Sequence, residues 1–379
     1  MKTLELLKQF ITFPTVSKDS NLDLIDFIED YLRKLEIPST RVPNGKGTKA
    51  NLYATVGPME EGGVILSEHT DVVPVEGQPW DTDPFSLTKK GDRFYGRGTC
   101  DMKAFSAIAL ALVPEMKNLK KPIHFAFSYD EEIGCLGAPQ MISELKQHLP
   151  PPRAVIVGEP TEMKVVTAHK GIVGMTTTVT GHEAHSSQTH RGVSAVMTAA
   201  SLISWLEQRG ELLRKSAPKG SGFEPHFTTV HVGVINGGTA INIISRHCEF
   251  CWDIRNIPED DPHQIVEDFQ GFCEREVIPA MQAVAPETGI STWSFADAPA
   301  LRHEPDSEAA QLARDLTAET TTAKVPYAAE AGQFQQAGFS TVICGPGSID
   351  QAHLPNEYIE LSQLEKGEGF IRSLIGLLS

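Results

Sequence analysis

Four short apolar runs in this chain each lead directly into an acid or a histidine, and that pattern narrows its folding options most. PIHFAFS runs into Asp130, Glu131 and Glu132; GGVILSE into His69 and Asp71; RAVIVG into Glu159; and STVICGPGSIDQA into His353. Such runs alternate with helix-like segments up to about residue 170, which predicts a mixed, largely parallel sheet flanked by helices. In open α/β sheets ligands bind outside the carboxyl ends of the strands, so the acids and histidines fall where a site is expected. Adjacent carboxylates such as Glu131 and Glu132 repel, and at the end of a buried run they need a counter-charge, solvent or a job.

At 379 residues the chain exceeds what one hydrophobic core usually supports, which favours two domains. Residues 173–292 change character: GIVGMTTTVTG, FTTVHVGVINGG and INIISRHCEFCWDIR are strand-like and rich in Thr, Val and Ile, and VSAVMTAASLISWLEQ and DPHQIVEDFQGFCEREV have helical periodicity. They predict an α+β unit inserted into an α/β unit formed by residues 1–172 and 293–379. A net charge of −16 argues against nucleic acid or an anionic membrane as partner, since phosphate binding needs clustered Lys and Arg. No run reaches the roughly 18 apolar residues of a membrane span. Leu4, Leu7, Phe10 and Ile11 fall on one helical face, so the first residues predict a helix rather than a secretion signal. Six cysteines are too sparse for a disulfide framework, and a cytoplasmic location is expected.

Taken singly, each polar residue has an ordinary explanation. Asp101, ahead of the helix-like AFSAIALALV, is a good N-cap; Glu159 is a turn acid; His353 a loop histidine; His69 a core histidine held by Asp71. Taken together, two histidines and several carboxylates at one sheet edge match a divalent-metal site with mixed N and O ligands. The lack of Cys in the set favours an open, catalytic site, and a pair of metals would need one bridging carboxylate. Asp71, two residues beyond His69 on an extended segment, can accept from the non-ligating ring nitrogen and fix its tautomer. HEAH at 182–185 has its histidines three apart instead of the zincin four, and Cys248 and Cys251 lie on a strand where residues three apart face opposite sides.

SEHTDVVPVEGQPWDTDPF, YGRGTCDMKA, SYDEEIGCLGA, VGEPT, TGHEAHSSQTHRGVSAV, GGTAINIIS and CGPGSIDQAHLPNEY together resemble the zinc-dependent aminoacylase and carboxypeptidase family. Within it, AEAGQFQQAG followed by CGPGSIDQAHLPNEY most resembles the acetylornithine deacetylases. The resemblance implies a zinc exopeptidase-like catalytic domain and hydrolysis of a small N-acyl amino acid. It implies two Zn2+ ions, replaceable by Co2+, one on His69, Asp101 and Glu159 and the other on Asp101, Glu132 and His353. Asp101 would bridge, with a cis bond to Met102; Glu131 would be the catalytic base, and Asp71 would orient His69. The inserted unit resembles a lid that pairs with its counterpart in a homodimer, with His185 reaching the partner subunit's site to bind the oxyanion and Asn242 and Arg255 touching substrate. For a substrate carboxylate Arg255 or Lys170 is suited, and for a distal ammonium Glu330. The chain departs from the pattern at Glu68 and Ala104, where Gly is usual; Glu68 is expected to point away from His69.

Overall fold

The computed structural model describes residues 1–379. Helices α1 (Thr3–Ile11) and α2 (Leu22–Lys34) precede strands β1 (Ser39–Pro43), β2 (Ala50–Val56), β3 (Val64–His69), β4 (Thr88–Lys90) and β5 (Arg93–Tyr95). Then come α3 (Lys103–Ala111), β6 (Ile123–Ser128), α4 (Ala138–His148), β7 (Ala154–Pro160) and β8 (Val166–His169). β9 (Ile172–Thr180), α5 (Ala195–Ser216), β10 (Thr229–Gly237), β11 (His247–Arg255), α6 (Pro262–Phe272), α7 (Ile278–Gln282) and β12 (Gly289–Ala298) follow. The chain closes with α8 (Glu308–Thr317), β13 (Ala323–Val325), α9 (Ala331–Gln336), β14 (Thr341–Gly345), β15 (Tyr358–Glu360) and α10 (Leu361–Leu378). These elements divide into a larger unit, Met1–His169 with Leu301–Lys324 and Ala329–Ser379, and a smaller one, Lys170–Ala300 with Val325–Ala328.

In the larger unit the sheet order is β1-β2-β6-β3-β7-β14-β8-β13, and the four central strands β6, β3, β7 and β14 run parallel. β2 and β8 flank them antiparallel. Every residue of those four strands is buried, as expected for a parallel sheet covered on both faces, where apolar runs show no alternation. β3 lies between β6 and β7, so the direction of strand progression reverses around it, and its last residue is His69.

Helix α3 is buried over eight of its residues, Lys103 to Leu110, and α10 lies close against it: a Cβ at Gly367 would stand 2.7 Å from Ile108 Cδ1. The first residues do form a helix, α1, but its buried face is Leu6, Leu7, Phe10 and Ile11, while Leu4 is 38% exposed. The apolar stripe is therefore rotated from the one that spacing alone suggests.

The smaller unit is an antiparallel sheet of order β10-β11-β9-β12, whose core of Phe250, Trp252, Leu202, Leu206 and Phe269 includes side chains from α5 and α6. The INIIS stretch is a turn rather than strand, and β11 starts at His247; β12 continues past residue 292 to Ala298. The helix begun at Pro262 passes through a π turn at Cys273–Val277 before α7, where Pro279 lacks the N–H that would bond the carbonyl of Arg275. Cys248 is buried in this core and Cys251 is half-buried, so they face opposite sides; all six cysteines are free.

Candidate metal centre

The carboxyl ends of the parallel strands bring five side chains together. His69, from β3, has Nε2 3.0 Å from Asp101 Oδ1 and 3.8 Å from Glu159 Oε1, the latter from β7. His353, from the loop after β14, has Nε2 2.9 Å from Glu132 Oε2 and 3.4 Å from Asp101 Oδ2. Asp101 thus stands between the two imidazoles, immediately before α3, and its peptide bond to Met102 is cis. Glu131 is in the same cluster, with one ligand-type atom within 4.8 Å of those of His69 and Glu159.

The DEE turn explains how neighbouring acids face one site. Asp130 takes a left-handed conformation (φ 57°), which ends β6 and redirects the chain. The N–H groups of Glu131 and Glu132 then donate to the two oxygens of the Asp71 carboxylate at 3.1 and 3.3 Å. The Ser17 hydroxyl donates to the same carboxylate at 2.7 Å. Asp130 itself pairs with Lys49, whose ammonium also donates to the Ser17 carbonyl.

Asp71 meets His69 through both its main chain and its side chain. His69 Nδ1 lies 2.9 Å from the backbone carbonyl of Asp71 but 3.7 Å from its carboxylate. A carbonyl oxygen only accepts, so Nδ1 carries the proton and Nε2 faces Asp101 and Glu159. The main-chain carbonyl engages Nδ1, and the Asp71 carboxylate accepts from the turn that carries Glu131 and Glu132.

The donor set fits divalent cations. Burial, then the negative charge of Asp101, pushes Glu159 well above the usual carboxylate range, and burial with Glu132 and Glu330 does the same to Glu131 despite His69. Glu132 is pushed up to about 7 by burial and Asp101. His353 is raised to about 11 by its bonds to Asp101 and Glu132. Oε1 of Glu159 is buried without a hydrogen-bond partner. Carboxylates crowded in this way, two imidazoles and an orphaned acceptor are the arrangement that a cation relieves.

Two buried residues of this region lie inside the stretches YGRGTCDMKA and CGPGSIDQAHLPNEY, but spacing gives neither of them a role. Arg97 and Glu357, each 1% exposed, pair at 2.8 Å beside the Asp101 backbone. Lys103, 1% exposed, donates to the carbonyls of Phe10 and Phe13 at the end of α1, and burial lowers it to about 7.

Glu330 stands at the start of α9, 1% exposed, accepting from the Ser67 hydroxyl at 3.2 Å. It is a buried acid at the N-terminus of a helix, not a residue presented to solvent. Glu68 has no exposure, and burial raises it to about 8; adjacent to His69 on a strand, it faces the other side of the sheet.

The remaining substrate candidates belong to the smaller unit. His185 and Asn242 are exposed on neighbouring segments, where Ser186 N–H donates to the Asn242 carbonyl at 3.0 Å. Arg255 is half-buried, its Nε 3.1 Å from Asp253. Lys170 is 1% exposed and its ammonium donates to the Phe227 carbonyl at 2.6 Å.

Residues 65–376 match the model of peptidase family M20/M25/M40. The chain is 33% identical over 383 residues to an acetylornithine deacetylase of Pasteurella multocida, covering 98% of this chain and 97% of that one. It is 32% identical over 367 residues to the acetylornithine deacetylase of Klebsiella pneumoniae, covering 94% and 92%. Among solved structures, an M20 family metallo-carboxypeptidase of Sulfolobus solfataricus superimposes with a TM-score of 0.77 at 19% identity, covering 100% of this chain and 99% of that one. A dinuclear metal-binding M20 peptidase of Bacillus subtilis does so with a TM-score of 0.64 at 16% identity, covering 99% and 97%. With this match across most of its length and relatives above 30% identity along nearly all of it, the chain belongs to peptidase family M20/M25/M40.

Proposed function

We propose that the chain is a metal-dependent amidohydrolase that removes the acetyl group from N2-acetyl-L-ornithine, giving L-ornithine and acetate, a step of arginine biosynthesis. The observation that carries this reading is identity above 30% to acetylornithine deacetylases along nearly the whole of both chains. The substrate is a small N-acyl amino acid, and the residues from Lys170 to Ala300 serve as lid and homodimer surface.

His69, Asp101 and Glu159 would hold one ion and Asp101, Glu132 and His353 the other, with zinc as the ion and cobalt as substitute. Bound there, the ions supply Lewis acidity for the attacking water and the acyl oxygen. Glu131 is the general base. Its carboxyl, 9% exposed and held above the usual range by burial and acidic neighbours, takes a proton from water and passes it to the leaving nitrogen. Arg255 pairs with the substrate carboxylate and Asn242 touches the substrate, while His185 reaches across the proposed homodimer to donate to the oxyanion developing in the other subunit's site. Glu330 acts on Glu131 by charge, favouring its protonated form.

The test is amine release from a panel of N-acyl amino acids by chelator-stripped protein, with zinc or cobalt restored. Acetylornithine should be preferred; preference for succinylated substrates would replace the deacetylase reading by a desuccinylase one, and no turnover of any member would end the enzyme reading. Glu131→Ala should bind metal normally and lose at least about 100-fold in kcat, the usual worth of a general base.

A further inference from the structure

Glu357 receives four hydrogen bonds from the segment that carries Asp101. Its Oε1 accepts the N–H groups of Cys100 at 2.7 Å and Asp101 at 3.1 Å; its Oε2 accepts Gly98 N–H at 2.9 Å and Arg97 Nη1 at 2.8 Å. Three amides converge on one carboxylate because the chain turns at Gly98, where φ is 82° and a Cβ would stand 2.8 Å from Val72 Cγ1. Arg97 carries the connection onward. Its Nη1 donates to the Leu354 carbonyl at 3.3 Å and its Nη2 to Gln78 Oε1 at 2.6 Å, and the Gln78 amide donates to the His353 carbonyl at 2.9 Å.

We propose that Glu357 and Arg97 form a positioning clamp that holds the Asp101 and His353 segments in fixed register, so that affinity for the metal shared by those two residues depends on it. This rests on the metal-dependent reading of the site above. An ion pair serving only to stabilise the fold needs no contact with the segments on either side of a ligand pair. This one bonds the amide of Asp101 itself and, through Gln78, the carbonyl of His353. Outer partners of metal ligands act by fixing ligand direction, and their loss commonly weakens binding about 10- to 100-fold.

Glu357→Gln keeps the shape and one acceptor oxygen but turns an NH2 toward the N–H donors and removes the charge facing Arg97. Gln78→Ala leaves both clamp residues and every proposed ligand in place and cuts the Arg97–Gln78–His353 link, together with the Trp80 Nε1 contact to Gln78 at 3.1 Å. The experiment titrates zinc into metal-free wild type and both variants by calorimetry, with amide exchange followed across residues 97–103 and 353–357. Glu357→Gln should weaken one of the two binding events about 10- to 100-fold and speed exchange at Gly98, Cys100 and Asp101, and Gln78→Ala should weaken the same event by less. Wild-type zinc affinity in folded Glu357→Gln overturns the clamp. If Glu357→Gln does not fold, wild-type affinity in Gln78→Ala overturns it instead. Should wild type take up no zinc, the metal reading itself fails, and the exchange rates still decide the clamp: unchanged protection at Gly98, Cys100 and Asp101 excludes it.

Discussion

At the scale of single residues, the three acids after β6 have three different fates. Asp130 is neutralised by Lys49; Glu132 faces His353; Glu131 is left with one neighbouring donor, the Cys135 thiol, 3.4 Å from its Oε1. Cys135 is 2% exposed, with its N–H on the Glu131 carbonyl at 2.8 Å and its own carbonyl receiving the Gln333 amide at 3.0 Å, so its backbone is held at both ends. Holding one carboxylate oxygen of the proposed base leaves the other for water. Cys135→Ala should therefore lower kcat by roughly 2- to 10-fold, the worth of one modest hydrogen bond, with KM unchanged. Cys135→Ser should recover most of the rate because its hydroxyl also donates. Equal rates in wild type and Cys135→Ala would dismiss the contact as incidental.

At the scale of elements, the strands explain both the fold's legibility and one of its liabilities. The apolar runs of β3, β6, β7 and β14 could be recognised because a sheet covered on both faces leaves no polar alternation to confuse the reading. His124 on β6 is one of the buried polar residues in these strands: it has no exposure, Nδ1 is 2.9 Å from the Thr55 hydroxyl, and Nε2 has no hydrogen-bond partner. Burial lowers its pKa from 6.5 to about 4, so the folded protein keeps it neutral where the unfolded chain is protonated. The stability tied to this group is complete above pH 6.5 and drains away as pH falls from 6.5 toward 4, to a total of about 3 kcal/mol. In denaturant titrations, His124→Gln should show a shallower loss across that window, its curve converging on or crossing that of wild type. Parallel curves from pH 7 to 4 would show that His124 is not the group responsible.

At the scale of the whole molecule, the proposed ligands all belong to the larger unit, while the smaller has its own core. Metal that binds only the folded site stabilises by mass action, about 2.7 kcal/mol at a free concentration 100 times Kd. Adding zinc to stripped protein should raise the melting temperature, and the gain in amide protection should be greatest at the ends of β3 and β7 and around Asp101 and His353. Protection that rose equally in β9, β10, β11 and β12 would mean that the ion is not confined to this cluster.

The sequence by itself determined the α/β class, the approximate place of the inserted segment, and which acids and histidines end the central strands, because those follow from hydrophobic period and from where polar residues interrupt it. Tertiary structure alone decided what each polar group touches. The Asp71 carboxylate serves the DEE turn while its carbonyl holds His69; Lys170 is buried on Phe227; Glu330 accepts from Ser67; and Glu357 reaches Arg97 across 260 positions of chain. A carboxylate's role depends on which N–H groups and charges approach it, and those partners come from segments remote in sequence whose meeting no local pattern records.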